Sequence, residues 1–257
     1  MEAGRPLDLR GAWDDGVPPV AWAAKPWLVA GEVHNLIGQG GVGKSILALD
    51  MALGLAAGAT ILGGTVPVQR AGTVVYFDRD SGAGQTLRRL VALMRGRWGE
   101  KPPDSVFTNL YVHCDHTVAL EGPGLRNLSA IVEELQPAAI FFDALRGFHT
   151  KDENTSRDMA YIYREVLRAI ADAGAAVVVL HHEGKPSEYR TTASTASRGS
   201  TEITDAADTN LRVSRDPRTN LPTLEMAKAR NISGPDWPRP LTYRLEQTEN
   251  LMRLSCG

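Results

Sequence analysis

The sequence predicts one α/β domain: a mostly parallel, twisted sheet flanked by helices and extended at its C-terminal edge by antiparallel strands. Three observations predict it. Short apolar runs recur, each ending abruptly in glycine, charge or histidine: "VHNLIGQGG", "VVYFDRDSG", "AAIFFDALRG" and "AAVVVLHHEG". Such near-continuous runs mark strands covered on both faces. Between them lie apolar residues at helical spacing, at Ile46, Leu47, Met51 and Leu55 and again at Met159, Ile162, Val166, Leu167 and Ile170. The C-terminal "PDWPRPLTYRLEQTENLMRLS" instead has the turn-broken pattern of a hairpin closing a sheet edge.

Composition narrows what this domain does. With 257 residues, 43% hydrophobic and 23% charged, the chain can bury a large core, and about 150 residues per domain allows one large domain or two small ones. We read residues 28–257 as one domain and residues 1–27, with Trp13, Trp22 and Trp27 among prolines, as an extended arm. Its tryptophans would pack on the core or on a neighbouring subunit. The net charge of −2 provides no global basic field, so any nucleic-acid contact must come from local loops. Two cysteines, Cys114 and Cys256, are too few for a disulfide framework, and "MEAGRPLDLR" lacks the apolar core of a signal peptide. No apolar run reaches the roughly 18 residues of a membrane span. The expectation is a cytoplasmic protein without membrane contact.

Taken in order, the first strong element is a strand, Val33 to Ile37, that runs into a glycine loop and then a helix, Lys44 to Ala57. Gly38, Gly43, Lys44 and Ser45 fit G-x-x-x-x-G-K-[ST] in the strand-loop-helix context this motif requires. The loop from Gly38 through Gly40, Gly41, Val42 and Gly43 to Lys44, Ser45 and Ile46 would turn its amides toward a β-phosphate. Lys44 would neutralise the β and γ oxygens, and the Ser45 hydroxyl would ligate Mg²⁺. The same letters spell G-x-G-x-x-G through Gly38, Gly40 and Gly43. That dinucleotide reading needs an acid about 20 residues on and leaves Lys44 and Ser45 without a role. The predicted ligand is therefore ATP or a related nucleotide with Mg²⁺.

The second element is the strand ending in Asp78. On a period of two, Val74, Tyr76, Asp78 and Asp80 share a face, so two carboxylates are expected to leave the strand together, one near the γ-phosphate to orient or deprotonate water. The third, Ala139 to Phe142, ends in Asp143, a second acid for the metal, which would hold magnesium through water while Ser45 binds it directly. The fourth, Ala175 to Leu180, ends in His181 and His182, which point to opposite sides of a regular strand. The run "HCDH", His113 to His116, is too tight to wrap one tetrahedral ion. After Lys185 comes a polar segment rich in Ser and Thr, in which Lys185, Arg190 and Arg198 would touch phosphates and Tyr189 would stack on a base. In "LPTLEMAKAR", strand periodicity puts Leu224, Met226, Lys228 and Arg230 on one face, apolar first and basic after.

The order "GQGGVGKS", "VVYFDRDS", "AIFFDALRGFHTKDENTS", "VVVLHHEGK", "ASRGSTEITDAAD" resembles the RepA-type hexameric replicative helicases, a plasmid and phage branch of the RecA-like ATPases related to the DnaB ring helicases. The likeness runs from about Pro26 to Lys228. It implies a RecA-like P-loop fold, a homo-oligomeric, hexameric ring, ATP hydrolysis with Mg²⁺, translocation on single-stranded DNA, and a replication initiator or loader protein as a further partner. It implies that the water-activating carboxylate sits at Asp80, where the family carries glutamate followed by Asp or Asn. Here the pair is Asp80 and Ser81, one methylene shorter. Hydrolysis is then slow, or the backbone compensates, or Asp78 shares the task. The resemblance further implies that His182 contacts the γ-phosphate, that the segment after it lines the DNA channel, and that Lys228 and Arg230 reach a neighbour's γ-phosphate, with Arg212, Arg215 or Arg218 as alternatives. A nucleotide-driven assembly or regulatory switch on a protein partner, without unwinding, is the reading of a different class; a recombinase-like filament is a third.

Overall fold

The computed structural model describes residues 7–183, 201–248 and 250–256. A short helix, α1 (Leu9–Asp15), precedes a ribbon of β1 (Trp22–Ala24) and β2 (Leu28–Val29). The chain enters the main sheet at β3 (Val33–Gly38), turns through the glycine loop into α2 (Lys44–Ala57) and makes a second ribbon, β4 (Thr60–Ile61) with β5 (Val66–Pro67). Then follow β6 (Val74–Asp78), α3 (Ala83–Trp98), α4 (Asp104–Asn109), β7 (Leu110–His113), α5 (Gly122–Leu135) and β8 (Ala139–Asp143). A helical segment of α6 (Ser156–Ala160), a π-helical stretch (Tyr161–Leu167) and α7 (Arg168–Asp172) leads to β9 (Ala176–His182). Last come α8 (Glu202–Ala206), β10 (Thr209–Arg215), β11 (Pro222–Ala229), β12 (Leu241–Gln247) and β13 (Met252–Cys256).

The main sheet has nine strands in the order β13-β12-β11-β10-β3-β9-β8-β6-β7. Every pair from β10 to β7 is parallel, and β11, β12 and β13 add an antiparallel edge. This is the predicted fold, a mostly parallel sheet with an antiparallel C-terminal extension. Period two divides each buried strand between two cores. Leu36, Tyr76, Phe141, Val178 and Leu180 pack with α2 and α3, whereas Val75, Phe77, Ile140, Phe142, Val177 and Val179 pack with α5 and the helical segment before β9. The stripe Met159, Ile162, Val166, Leu167 and Ile170 lies in the second core, as its spacing predicts.

α2 is apolar on all sides because it is covered on all sides, by the sheet, α3, α4 and the β4–β5 ribbon. Its bounds match the sequence reading because glycines in the left-handed region punctuate both ends, Gly43 at φ 102° and Gly58 at φ 66°. Its buried Asp50 is held by Arg97 and by the amide of Gly63 at 3.2 Å.

Two expectations change. The N-terminal segment is not extended throughout: residues 9–15 form α1, none of whose residues is buried. Trp27 is 3% exposed in the core, whereas Trp13 is 84% exposed. In β11, Asn210 pairs with Lys228 but Leu211 pairs with Met226, which leaves Ala227 as a bulge. The alternation that would carry Leu224, Met226, Lys228 and Arg230 along one face is therefore broken before Lys228. Among the described residues, no helix is long and apolar enough to cross a membrane.

Candidate active site

The carboxyl ends of β3, β9, β8 and β6 converge on the glycine loop, the position where open parallel sheets place ligands. A Cβ at Gly38 would stand 2.4 Å from the carbonyl oxygen of Val213, so only glycine fits between β3 and β10 at the loop's entry. Lys44, 5% exposed, donates from Nζ to the carbonyls of Gly38 at 2.8 Å and Gln39 at 3.0 Å and lies 3.3 Å from His182 Nδ1. Burial lowers its pKa, and the charges of Asp143, Asp80 and Glu183 pull it back up. The lysine is thus parked on its own loop, ringed by three acids, with an ammonium available to phosphate oxygens.

Asp143 is 2% exposed at the end of β8. Burial raises its pKa to about 6, against the lowering effect of hydrogen bonds from Tyr76 and Ser45; Asp78 and Asp80 push it further up. The Ser45 hydroxyl is thus close enough to the Asp143 carboxylate to act on its charge, as a magnesium site in this loop requires. Both are hard oxygen donors of the kind Mg²⁺ takes together with water and phosphate, so the residues present fit the ion. Tyr76 Oη donates to Asp143 Oδ2 at 2.7 Å, a contact not anticipated from the sequence.

Asp78 and Asp80 do not leave the strand together. β6 ends at Asp78, so alternation stops there, and Asp78 (1% exposed) turns back to accept the amides of Asp80 and Ser81, each at 2.9 Å, and the Thr86 hydroxyl at 2.5 Å. It is neither a solvated turn residue nor available to water; it caps the turn into α3. Asp80 is exposed at the tip of that turn and is near enough to Lys44 to act on its charge.

His182 lies beside Lys44 and His181 is 3% exposed, and both line one cleft with Ala144, Arg146 and Asp152 to Asn154. The next residue, Glu183, is also buried. Its amide donates to the Gly38 carbonyl at 3.0 Å, and its carboxylate accepts from Arg212 Nε at 2.6 Å. Sequence reasoning passed over Glu183 because the histidine pair drew the chemistry; the signal was a third polar residue closing an apolar strand. Lys185, Tyr189, Arg190 and Arg198 lie outside the described residues.

Lys228 and Arg230 lie at the other end of the sheet. Thr209 pairs with both Ala229 and His34, whereas Val213 pairs with Gly38. Lys228 Nζ donates to the carbonyls of Thr204, Asp205 and Ala207 at 2.8–2.9 Å, and Arg230 Nη2 to that of Asp205 at 2.7 Å, both at the C-terminal end of α8. Of the alternatives, Arg212 is tied to Glu183 and Glu225, while Arg215 donates to the Asn220 carbonyl at 2.9 Å in the β10–β11 turn. That turn, β12 and the loop residues Gly41 to Gly43 enclose a cleft of about 470 Å³. Into it comes Tyr243, 2% exposed, whose hydroxyl has no partner among the described residues.

The fold has known counterparts. A solved structure titled "ATPase Domain of G40P" superposes with a TM-score of 0.61 over 86% of this chain and 84% of that one, at 13% sequence identity. A family model described as "AAA domain" matches residues 4–188, well over half of the chain and all of the strand ends around Lys44. A glycine loop with a buried lysine, a serine close enough to a strand-end aspartate to lower its pKa and a RecA-like sheet are thus found together in one chain, which belongs to the AAA domain family of nucleotide-binding ATPases.

Proposed function

We propose that this protein is a ring-forming, ATP-driven DNA helicase of the RepA type, which hydrolyses ATP with magnesium and uses the cycle to move along single-stranded DNA. One observation carries the reading. Lys44, which would hold the terminal phosphates, contacts His182, and the chain runs from His182 through Glu183 directly into the basic segment of Lys185, Tyr189, Arg190 and Arg198. Loss of a phosphate at Lys44 would be felt first at the root of the segment best equipped to hold DNA.

In this reading Gly38 to Ile46 hold the triphosphate and Lys44 neutralises its β and γ oxygens. Ser45 and Asp143 hold the magnesium, which when bound supplies charge neutralisation of the β and γ phosphates. Asp80 orients the attacking water and accepts its proton. Lys228 or Arg230 of a second copy stabilises charge on the transferring phosphoryl group, so assembly, most simply as a hexamer, and hydrolysis are linked. The 470 Å³ cleft at Tyr243 and Arg215 accommodates base and ribose. The protein would act in the cytoplasm, with an initiator or loader protein placing it on DNA.

The test is strand displacement on a forked duplex, beside ATPase rates with and without single-stranded DNA. ATP-dependent unwinding with DNA-stimulated hydrolysis supports the helicase. Tight nucleotide binding with slow, DNA-independent hydrolysis and no unwinding selects the alternative, a nucleotide-driven assembly or switch on a protein partner. The observation that favours this alternative is aspartate, rather than the longer glutamate, at residue 80.

A further inference from the structure

β6 and β8 are parallel neighbours in which Tyr76 pairs with Phe141 and Asp78 with Asp143. Two carboxylates thus end adjacent strands on the same face, where like charges side by side are unfavourable. Each has its own set of donors. Asp78 takes the Asp80 and Ser81 amides and the Thr86 hydroxyl, which turn it toward α3, while Asp143 takes Tyr76 and Ser45, which turn it toward the glycine loop.

Tyr76 is an unexpected choice for packing alone. It is fully buried, its ring stacks on Phe141 with centroids 5.5 Å apart and planes 19° apart, and the surrounding face of the sheet is Val74, Phe141, Val178 and Leu180. Phenylalanine would fill that space without bringing in a hydroxyl that needs a partner. The hydroxyl goes to Oδ2 of the one carboxylate that meets Ser45.

We infer that Tyr76 is a positioning residue of the ATPase site: its phenol fixes the rotation of the Asp143 carboxylate, holding Oδ2 in the sheet and leaving Oδ1 for the magnesium shell. The inference rests on the proposed magnesium role of Ser45 and Asp143. A hydrogen bond from a rigid donor to a group that holds a metal typically changes metal affinity or activity by roughly 10- to 100-fold when removed.

The test uses the full chain and a fluorescent ATP analogue, with the magnesium concentration that half-saturates binding as the readout. Tyr76→Phe, which keeps the stack and removes only the hydroxyl, is expected to raise that concentration by about tenfold or more, with binding in EDTA unchanged. The kcat of Tyr76→Phe should be low and partly recovered by excess magnesium. Phe141→Leu, which disturbs the same packing but no polar atom, should lower the thermal midpoint and leave the magnesium dependence alone. On an Asp143→Asn background, Tyr76→Phe should add no further loss, and that pair avoids stranding a buried charge if the single variant does not fold. A magnesium dependence of Tyr76→Phe within about twofold of wild type, an equal change in Phe141→Leu, or a further loss on the Asp143→Asn background each assigns Tyr76 to packing and overturns the inference. A wild-type protein that binds the analogue equally with and without magnesium removes instead the metal role on which the inference stands.

Discussion

Asp143 carries its charge where burial opposes it, and that conflict can be measured. Its rise from the ordinary 3.8 to about 6 corresponds to roughly 3 kcal/mol of preference for the neutral form in the folded, nucleotide-free protein. The native state therefore binds this proton more tightly than the unfolded chain. The associated stability is fully present below the unfolded value near 3.8 and is lost as pH rises through about 6. Asp143→Asn is accordingly expected to raise the thermal midpoint at pH 8 and change it little at pH 4, while abolishing magnesium-dependent hydrolysis. Magnesium-dependent capture of nucleotide by the free protein, which needs the ionised carboxylate, should weaken as pH falls through about 6. Equal midpoint changes at both pH values would mean that Asp143 is not held against its charge. The neighbouring pair makes a second, opposed forecast. Asp78 accepts three hydrogen bonds in the interior, so Asp78→Ala should cost about 2–4 kcal/mol in urea unfolding. The kcat of its folded fraction should stay within severalfold of wild type. Asp80→Ala, at an exposed turn, should leave the urea midpoint nearly unmoved and reduce kcat by about 100-fold or more. If Asp78→Ala is the inactive but stable one, the roles are reversed.

At the scale of elements, the parallel sheet was legible because each buried strand is an uninterrupted apolar run with a polar end, and the run from Lys44 to Ala57 was legible because left-handed glycines bound it. What could not be read was where alternation stops. Period two was extended past Asp78 into a turn and across Ala227 in β11, and in both places a single backbone departure re-aims the side chains that follow. The π-helical stretch Tyr161–Leu167 was also hidden, since one apolar stripe satisfies both helical forms. Nor does a sequence disclose which strands become neighbours. The Tyr76 and Asp143 contact, and the link from Glu183 to Arg212, join residues 67 and 29 positions apart. That second link ties β9 to β10 just where the chain leaves for the segment after residue 183. Arg212→Ala would leave the Glu183 carboxylate buried without its cation, at a cost of about 2 kcal/mol or more in urea unfolding. If β9 carries the nucleotide signal, Arg212→Ala also weakens the response of hydrolysis to single-stranded DNA more than it weakens basal hydrolysis. Unchanged DNA stimulation beside lowered stability would confine the link to structure.

For the whole molecule, the decisive feature is the distance between the lysine of the glycine loop and the two cations of β11. Residues pairing with His34 and with Gly38 stand at opposite ends of β3, roughly 13 Å apart along the strand, so Lys228 and Arg230 do not serve the site of their own chain. Any catalytic role belongs to a site on another copy. In the proposed ring, the exposed α1, with Leu9 75% and Trp13 84% accessible one helical turn apart, would supply an apolar face to hold such copies together. A mixing experiment separates a catalytic cation from a structural one. Lys44→Ala lacks a working site but keeps its Arg230; Arg230→Ala keeps the site and lacks the cation. Each alone should be nearly inactive, since a cation supplied in trans contributes about 10³- to 10⁵-fold. Assembled together, some interfaces join an intact loop to an intact arginine, and hydrolysis should return to a measurable fraction of wild type. Changing Leu9 and Trp13 to serine should abolish that recovery and shift sedimentation toward the monomer. Because Arg230 also donates to the Asp205 carbonyl, a purely structural arginine would lower the thermal midpoint of Arg230→Ala, and mixing with Lys44→Ala would restore nothing.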